Sequence, residues 1–164
     1  MARTRAYVAL GSNLDDPRRQ VVTALEELDE LPDTRRVNRS PLYRSAPMGP
    51  SDQPDYINAV AALDTDLEPE ALLDALQGIE ARHGRVRGAE RWGPRTLDLD
   101  LILYGAATLR TERLVVPHPG LHERGFVLYP LHDIAPDLEV PGMGSLEALL
   151  AACPAQGVHL VDGE

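Results

Sequence analysis

Short apolar runs alternate along the chain with segments whose apolar residues recur at helical spacing. Runs rich in β-branched, aromatic and leucine residues, each bounded by polar or turn-forming residues, predict strands. The last of them begins with a strict alternation of leucine and aspartate, which is typical of a strand with two different faces. The four strands are predicted over residues 6–10, 37–44, 56–63 and 96–104.

Two amphipathic helices are predicted between these strands. The first has Asp15 or Asp16 as its cap and Pro17 in its first turn, and the second opens at Pro69 and ends near His83. Their apolar faces comprise Val21, Val22, Leu25 and Leu28, and Leu72, Leu73, Leu76 and Ile79. The resulting order β-α-β-β-α-β predicts an α+β fold of the ferredoxin-like type, an antiparallel sheet with the helices on one face.

Two segments are predicted to be loops, and the final third of the chain is predicted to add edge elements. Residues 45–55 contain three prolines and a glycine, and residues 85–94 are rich in glycine and arginine. Beyond the fourth strand, residues 126–129 favour a strand and residues 146–152 a short helix. We expect these later elements to extend the same domain.

Composition narrows the class of protein. The 164 residues are 43% hydrophobic, which excludes a disordered chain and suits one domain over residues 1–164. The formal charge of −10 disfavours nucleic acid as a partner, and the absence of a long apolar run disfavours a membrane span. A single cysteine, Cys153, suits a cytoplasmic protein. All sixteen basic residues are arginine, so a phosphate-binding or Schiff-base lysine is excluded.

Asp98 and Asp100 are the strongest candidates for a metal site. Because alternate residues of a strand share a face, the two carboxylates are expected side by side, roughly 6.5–7 Å apart at Cα. Paired carboxylates repel one another unless a cation lies between them, and Mg²⁺ prefers such ligands together with phosphate oxygens. The alternative is an ordinary solvated strand face.

Arginines are concentrated just before this pair. Residues 82–95 contain five arginines and one glutamate, a net charge of +4 in a chain of −10. Guanidinium groups bind polyphosphate bidentately, although a basic patch that pairs with the protein's own acids is an equally good interpretation. Arg95 lies three residues before Asp98, so arginine and a metal-binding pair converge as phosphoryl transfer requires.

Several single residues admit two interpretations each. Trp92 is either a loop anchor or part of a lid over a planar ligand. His118 is a general base, a phosphate donor or a turn residue. Tyr56 and Phe126 are either core aromatics or stacking faces, and Asn58 should share a face with Tyr56, which suits a flat heterocycle.

The motifs together resemble one enzyme family. They are ALGSNL at residues 9–14, APMGP at 46–50, QPDYIN at 53–58, RWGPRTLDLD at 91–100, VPH at 116–118 and RGF at 124–126. In order and spacing they are similar to the 6-hydroxymethyl-7,8-dihydropterin pyrophosphokinases of folate biosynthesis, over residues 7–138.

The resemblance implies a reaction and a set of roles. The pterin hydroxymethyl oxygen would attack the β-phosphorus of ATP, assisted by two Mg²⁺, giving the pterin diphosphate and AMP. Asp98 and Asp100 would bind the metal, and Arg85 and Arg95 would neutralise the transferring diphosphate. The ATP contacts implied are Gln77, Glu80, Arg85, Trp92, Arg95, Leu101, Arg113, His118 and Arg124. The pterin contacts implied are Ser45, Met48, Tyr56, Asn58, Trp92 and Phe126.

Two other functions compete with this interpretation. A ligand-sensing ferredoxin-like module would bind a nucleotide without chemistry, but it would have no use for the side-by-side aspartates. A metal-dependent nuclease would use those aspartates, but the charge of −10 argues against it. The expected partners are therefore small molecules, with no nucleic acid and no membrane, and the chain is expected to be a monomer.

Overall fold

The computed structural model describes residues 4–13, 16–45, 55–83, 97–153 and 158–161. The predicted site residues Met48, Arg85, Trp92 and Arg95 lie outside this part of the chain, as does Asp15. Among the described residues, no helix is both long and apolar enough to cross a membrane.

An antiparallel sheet forms the centre of the fold, and it runs in the order β10-β3-β4-β1-β5, with β2 also paired to β4. Two small hairpins, β6-β7 and β8-β9, lie outside this sheet. The elements in chain order are β1 (Thr4–Ser12), α1 (Pro17–Leu28), β2 (Thr34–Arg39), β3 (Tyr43–Ser45), β4 (Tyr56–Thr65), α2 (Pro69–Arg82), β5 (Asp98–Tyr104), β6 (Leu109–Arg110), β7 (Val115–Val116), a 3-10 turn (Leu121–Glu123), α3 (Gly125–Ile134), β8 (Glu139–Val140), β9 (Gly144–Ser145), α4 (Leu146–Ala152) and β10 (His159–Leu160).

Helices cover both faces of the sheet. Along β1, Val8 and Leu10 pack into the core formed with α1 and α2, whereas Tyr7 and Ala9 pack into a second core formed with α3 and α4. The α+β antiparallel fold is confirmed, but the expectation that helices occupy one face was wrong. The physical reason is that the central strands are apolar at successive positions, so both of their faces must be covered.

The predicted second strand, residues 37–44, is divided in two. Ser40 interrupts it, since its backbone N–H donates to the Val60 carbonyl at 2.8 Å and its hydroxyl oxygen accepts from the Val60 N–H at 2.9 Å. Pro41 follows and has no N–H to continue a ladder. β3 is therefore a separate strand of only three residues.

The predicted strand over residues 126–129 was wrong, because these residues form the start of α3. Val127, Leu128 and Leu131 are buried at the spacing of a helix face. A run of four apolar residues does not distinguish a strand from a buried helix, and only the complete segment shows the longer period. The final third of the chain thus supplies a whole covering layer rather than edge elements alone.

The first residues of α1 and α4 show how each of these helices begins. Pro17 is in the first turn of α1 as expected, but Asp16 has φ 63° and makes no side-chain capping hydrogen bond. The helix predicted over residues 146–152 is confirmed as α4, where the Ser145 hydroxyl oxygen accepts from the Ala148 N–H at 3.2 Å.

Candidate active site

A row of paired residues crosses four neighbouring strands at one end of the sheet. Tyr43 on β3 pairs with Asn58 on β4, Asn58 pairs with Gly11 on β1, and Gly11 pairs with Asp98 on β5. Directly opposed residues of antiparallel strands point to the same face. The predicted pterin residue Asn58 and the predicted metal ligand Asp98 therefore share a face, two strands or roughly 10 Å apart.

Asp98 and Asp100 occupy the face of the sheet that α3 covers. Leu97, Leu99 and Leu101, which alternate with them, are buried in the core with α1 and α2. The predicted division of this strand into a leucine face and an aspartate face is confirmed. The Asp100 side chain is 47% exposed, and its Oδ2 lies 3.8 Å from Nη1 of Arg124, so a cation already faces this pair.

Arg124 joins the aspartate pair to the predicted pterin pocket. Its guanidinium carbon lies 5.9 Å from the centre of the Phe126 ring, within the range of a cation–π contact. Gly120 makes room for the surrounding groups, because a Cβ there would lie 3.2 Å from Arg124 Nε and 3.6 Å from the His118 ring. Arg124 thus contacts both Phe126 and Asp100.

His118 is held neutral beside Arg124. Burial, and secondarily the Arg124 charge, lowers the pKa of His118 to about 4. Its Nδ1 accepts a hydrogen bond from the Gly120 N–H at 3.1 Å, so the proton of the neutral ring resides on Nε2. At neutral pH this side chain is a hydrogen-bond donor through Nε2 rather than a cation.

Ser45 and Asn58 form a buried polar pair at the other end of the row. The Asn58 amide donates to the Ser45 hydroxyl oxygen at 2.7 Å, and each residue is 3% exposed. Tyr56 is two residues before Asn58 and is the strand partner of Ser45, so all three share a face, as predicted for Tyr56 and Asn58.

Gly11 was missed as a site residue by the sequence reasoning. A Cβ at this position would lie 3.3 Å from Asn58 Oδ1 and 3.7 Å from Tyr56 Cδ1, so the absence of a side chain keeps the space beside Asn58 open. The adjoining Ser12 and Asn13 are also buried, at 0% and 1% exposed. The signal available was a Gly-Ser-Asn sequence directly after an apolar strand, where polar residues in the interior require a reason.

Glu80 and Gln77 on α2 and Leu101 on β5 are not members of the row. Glu80 is 7% exposed, and its Oε2 accepts from the Leu99 backbone N–H at 2.7 Å, which fixes the end of α2 to β5 between the two aspartates. Gln77 is half-buried one turn earlier on α2. Leu101 is 3% exposed with its side chain in the core, so the structure gives that side chain a packing role.

Arg113 pairs with two acids of α2. Its Nη1 lies 3.3 Å from Glu70 Oε1, and its Nη2 hydrogen-bonds Asp74 Oδ1. All three side chains are well exposed, so these ion pairs contribute little to stability. The structure therefore places this predicted ATP contact on the α2 side of the molecule.

The donor set suits a hard divalent cation that is shared with a substrate. Within the described ranges, no group of three or more histidine, cysteine or acidic side chains is close enough to hold a metal by itself. Two adjacent carboxylates are a typical protein contribution to a Mg²⁺ site, in which phosphate oxygens and water complete the coordination shell of the ion. The residues present therefore fit Mg²⁺ bound together with a nucleotide.

Comparison with known proteins identifies the family. The protein family described as 7,8-dihydro-6-hydroxymethylpterin-pyrophosphokinase (HPPK) matches this chain over residues 7–136. The chain is 57% identical over 159 residues to the Pseudomonas aeruginosa 2-amino-4-hydroxy-6-hydroxymethyldihydropteridine pyrophosphokinase, covering 97% of this chain and 98% of the relative. The chain belongs to the HPPK family. It is accordingly an enzyme, a diphosphokinase of the pterin branch of folate biosynthesis, as its motifs predicted.

Other relatives agree with this assignment. The Haemophilus influenzae enzyme of the same description is 53% identical over 136 residues, covering 83% of this chain and 84% of that relative. A solved Plasmodium falciparum HPPK-DHPS structure superposes with a TM-score of 0.72 at 13% identity, and the likeness covers 91% of this chain. At that identity the likeness shows the fold alone. The chain spans 43% of the Plasmodium chain.

Proposed function

We propose that this chain transfers a diphosphate from ATP to the hydroxymethyl group of 6-hydroxymethyl-7,8-dihydropterin in the site built on the strand row. The observation that carries the proposal is the row itself, which puts Asn58, Gly11 and Asp98 in line on one face of the sheet. A buried amide suited to a heterocycle thus lies about two strand spacings from a carboxylate pair suited to Mg²⁺.

The pterin is proposed to bind between β4 and the start of α3. The buried Asn58 amide and Ser45 hydroxyl offer hydrogen bonds that match the polar edge of a pterin. Tyr56 and Phe126 offer ring faces to its flat surfaces. Because a buried polar group left unpaired costs about 1–3 kcal/mol, a ligand that lacks these partners binds about 5–150-fold less tightly.

The diphosphate is proposed to cross the aspartate pair. Asp98 and Asp100 would hold Mg²⁺, which supplies charge neutralisation at the phosphate oxygens. Arg124 lies beside Asp100, and the neutral His118 ring, close enough to Arg124 for that charge to lower its pKa, would offer its Nε2–H to a phosphate oxygen. Arg85 and Arg95, which lie outside the described residues, are predicted to contribute further positive charge to the diphosphate.

The reaction balances without a further reactant. The pterin hydroxyl oxygen forms a bond to the β-phosphorus of ATP, and the bond between that phosphorus and the α,β-bridging oxygen breaks. AMP leaves with that oxygen, and the hydroxyl proton passes to solvent. The chain's contribution is to align the attacking oxygen and neutralise the spreading charge, which is the main catalytic requirement of phosphoryl transfer.

An AMP-release assay with ATP, Mg²⁺ and the hydroxymethyl dihydropterin tests the proposal. Asp98→Asn and Asp100→Asn should each lower kcat/KM by about 100-fold or more, since metal-assisted charge stabilisation is worth several kcal/mol. Asp64→Asn is the matched control, because Asp64 forms an exposed ion pair with Arg5 on β1. Wild-type activity in both site variants would contradict the metal assignment, and nucleotide binding without AMP would support the sensing module.

Three expectations from the sequence remain predictions. They are the monomeric state, the cytoplasmic location and the extension of one domain over residues 1–164. Size-exclusion chromatography with light scattering measures the first of them, and limited proteolysis tests the last.

A further inference from the structure

A buried tyrosine, Tyr43, links β3 to α3 next to Asn58 at the β3 end of the row. The Tyr43 hydroxyl donates a hydrogen bond to Asp133 Oδ2, and Tyr43 is 8% exposed. The Tyr43 ring also stacks on the Tyr129 ring, with centroids 6.5 Å apart and planes at 26°. These contacts join the sheet to the helix through side chains.

The two linked elements also carry the two walls of the proposed pterin pocket. On β3, Tyr43 and Ser45 are two residues apart and share a face. On α3, Phe126 and Asp133 are seven residues apart, which places them on one side of the helix about 10.5 Å apart along its axis. The Tyr43–Asp133 bond therefore lies one strand step from Ser45 and two helical turns from Phe126.

β3 has little backbone pairing to hold it in place. It is three residues long, and its backbone partners are β4 on one side and the two-residue strand β10 on the other. Small movements of so short a strand relative to α3 would change the distance between Ser45 and Phe126. A side-chain bond between β3 and α3 limits such movements directly.

We propose that the Tyr43–Asp133 hydrogen bond is a positioning contact that sets the width of the pterin pocket by fixing β3 against α3. This inference rests on the proposed location of the pterin between Ser45, Asn58 and Phe126. Tyr43 and Asp133 are positioning residues in this arrangement, because their hydrogen bond acts by holding Ser45 and Phe126 at a fixed separation.

The chemistry of the pair favours a persistent bond. Burial, with the hydrogen bond and charge of Asp133, raises the pKa of Tyr43 above its ordinary value, so the hydroxyl remains a donor throughout the working range of pH. A hydrogen bond to a carboxylate is stronger than one between neutral groups. Asp133 is also exposed, so removing the tyrosine hydroxyl leaves a carboxylate that water solvates.

The test is Tyr43→Phe, which deletes one oxygen and keeps the ring stack with Tyr129. We expect the KM and Kd for the hydroxymethyl dihydropterin to rise about 5–20-fold, with the KM for ATP within about twofold of wild type. Asp133→Ala should reproduce this result, whereas Asp133→Asn should restore most of the affinity, because its amide oxygen still accepts the bond. The double variant Tyr43→Phe/Asp133→Ala should be no worse than either single variant.

Tyr104→Phe is the matched control. The Tyr104 hydroxyl donates to the Leu67 carbonyl oxygen at 2.7 Å in a half-buried setting on β5, so this variant also deletes one tyrosine hydroxyl and one hydrogen bond. It should lower Tm and leave the pterin KM unchanged. An equal change of pterin KM in both variants would mean that lost stability, rather than pocket width, is responsible.

Phe126→Ala and Asn58→Ala distinguish the failure of this inference from the failure of the proposed site. If these two variants raise the pterin Kd and Tyr43→Phe does not, the positioning role of Tyr43 is wrong, but the proposed location of the pterin pocket is supported. If none of the three changes the pterin Kd, the pocket itself is misassigned. If Asp133→Asn is as impaired as Asp133→Ala, the hydrogen bond is not the cause of the effect.

Discussion

Replacement of Gly11 by alanine tests whether the strand row is the floor of the pterin pocket. The new Cβ would lie 3.3 Å from Asn58 Oδ1, 3.7 Å from Tyr56 Cδ1 and 3.9 Å from the Ile57 carbonyl oxygen. The first of these contacts is tighter than most Cβ contacts, so the Asn58 amide must shift by a few tenths of an ångström. The other two are ordinary van der Waals contacts and need no adjustment.

The expected magnitude follows from how Asn58 is held. Its amide is buried and donates to Ser45 at 2.7 Å, so a shift of the amide weakens that bond. A net hydrogen bond is worth about 0.5–1.5 kcal/mol. Displacement of the amide should therefore raise the pterin Kd about 2–12-fold, since about 1.4 kcal/mol corresponds to a factor of ten.

Isothermal titration calorimetry with the hydroxymethyl dihydropterin measures this change, and the KM for ATP serves as the internal reference. Gly78→Ala is the matched control, because nothing lies within 4 Å of a Cβ at this position in α2. The control should leave the pterin Kd unchanged and stabilise the protein by about 0.5–1 kcal/mol through helix propensity. Wild-type pterin affinity in Gly11→Ala would refute the placement of the pocket beside this glycine.

Two further predictions concern stability. Because the folded-state pKa of His118 is lowered to about 4, the unfolded chain binds a proton first as the pH falls. Stability should thus decline between about pH 6.5 and pH 4, by about 1–2 kcal/mol after allowing for solvent screening. Urea unfolding near pH 7 and pH 4.5 should show a smaller decline in His118→Gln, and an equal decline would contradict the assignment to His118. Leu76→Ala, at a position 0% exposed in the core, should lower the urea-derived free energy of unfolding by about 2.7–5 kcal/mol, whereas a loss below about 1 kcal/mol would mean that the core refills the cavity.

The aspartate face of β5 was predictable because it depends on local geometry alone. A strand turns each successive side chain to the opposite face, so Asp98 and Asp100 share a face wherever the strand lies in the sheet. The same rule placed Tyr56 and Asn58 together on β4. In each case the spacing of two residues within one strand determines that they share a face, and the neighbouring strands need not be known.

The strand row was not predictable, because it depends on register between distant segments. Gly11 pairs with Asn58 on one side and with Asp98 on the other, across separations of tens of residues. A shift of one residue would turn every side chain of β1 to the opposite face. The sequence contained all the members of the row but not their alignment, and this is why Gly11 was not identified as part of the site.

The burial of both faces of the sheet could have been predicted from one feature of the first strand. Residues 6–10, AYVAL, are apolar without interruption, and such a run is typical of a strand buried on both sides. A second layer of structure is then required, and α3 provides it with Val127, Leu128 and Leu131. Burial of the strand is thus the reason that the final third of the chain lies against the sheet and brings Arg124 and Phe126 to the site.

The charges at the site make nucleotide binding dependent on a cation. The chain carries a formal charge of −10, and two of its acidic groups, Asp98 and Asp100, lie where the phosphates are proposed to bind. His118 contributes no charge at neutral pH, and the Arg124 guanidinium already faces Asp100 at 3.8 Å. Without a metal, the aspartate pair would repel a polyphosphate, so a protein that only sensed nucleotides would bind better with this pair replaced by neutral residues. Retention of two adjacent carboxylates in an acidic protein therefore favours catalysis with Mg²⁺ over simple binding.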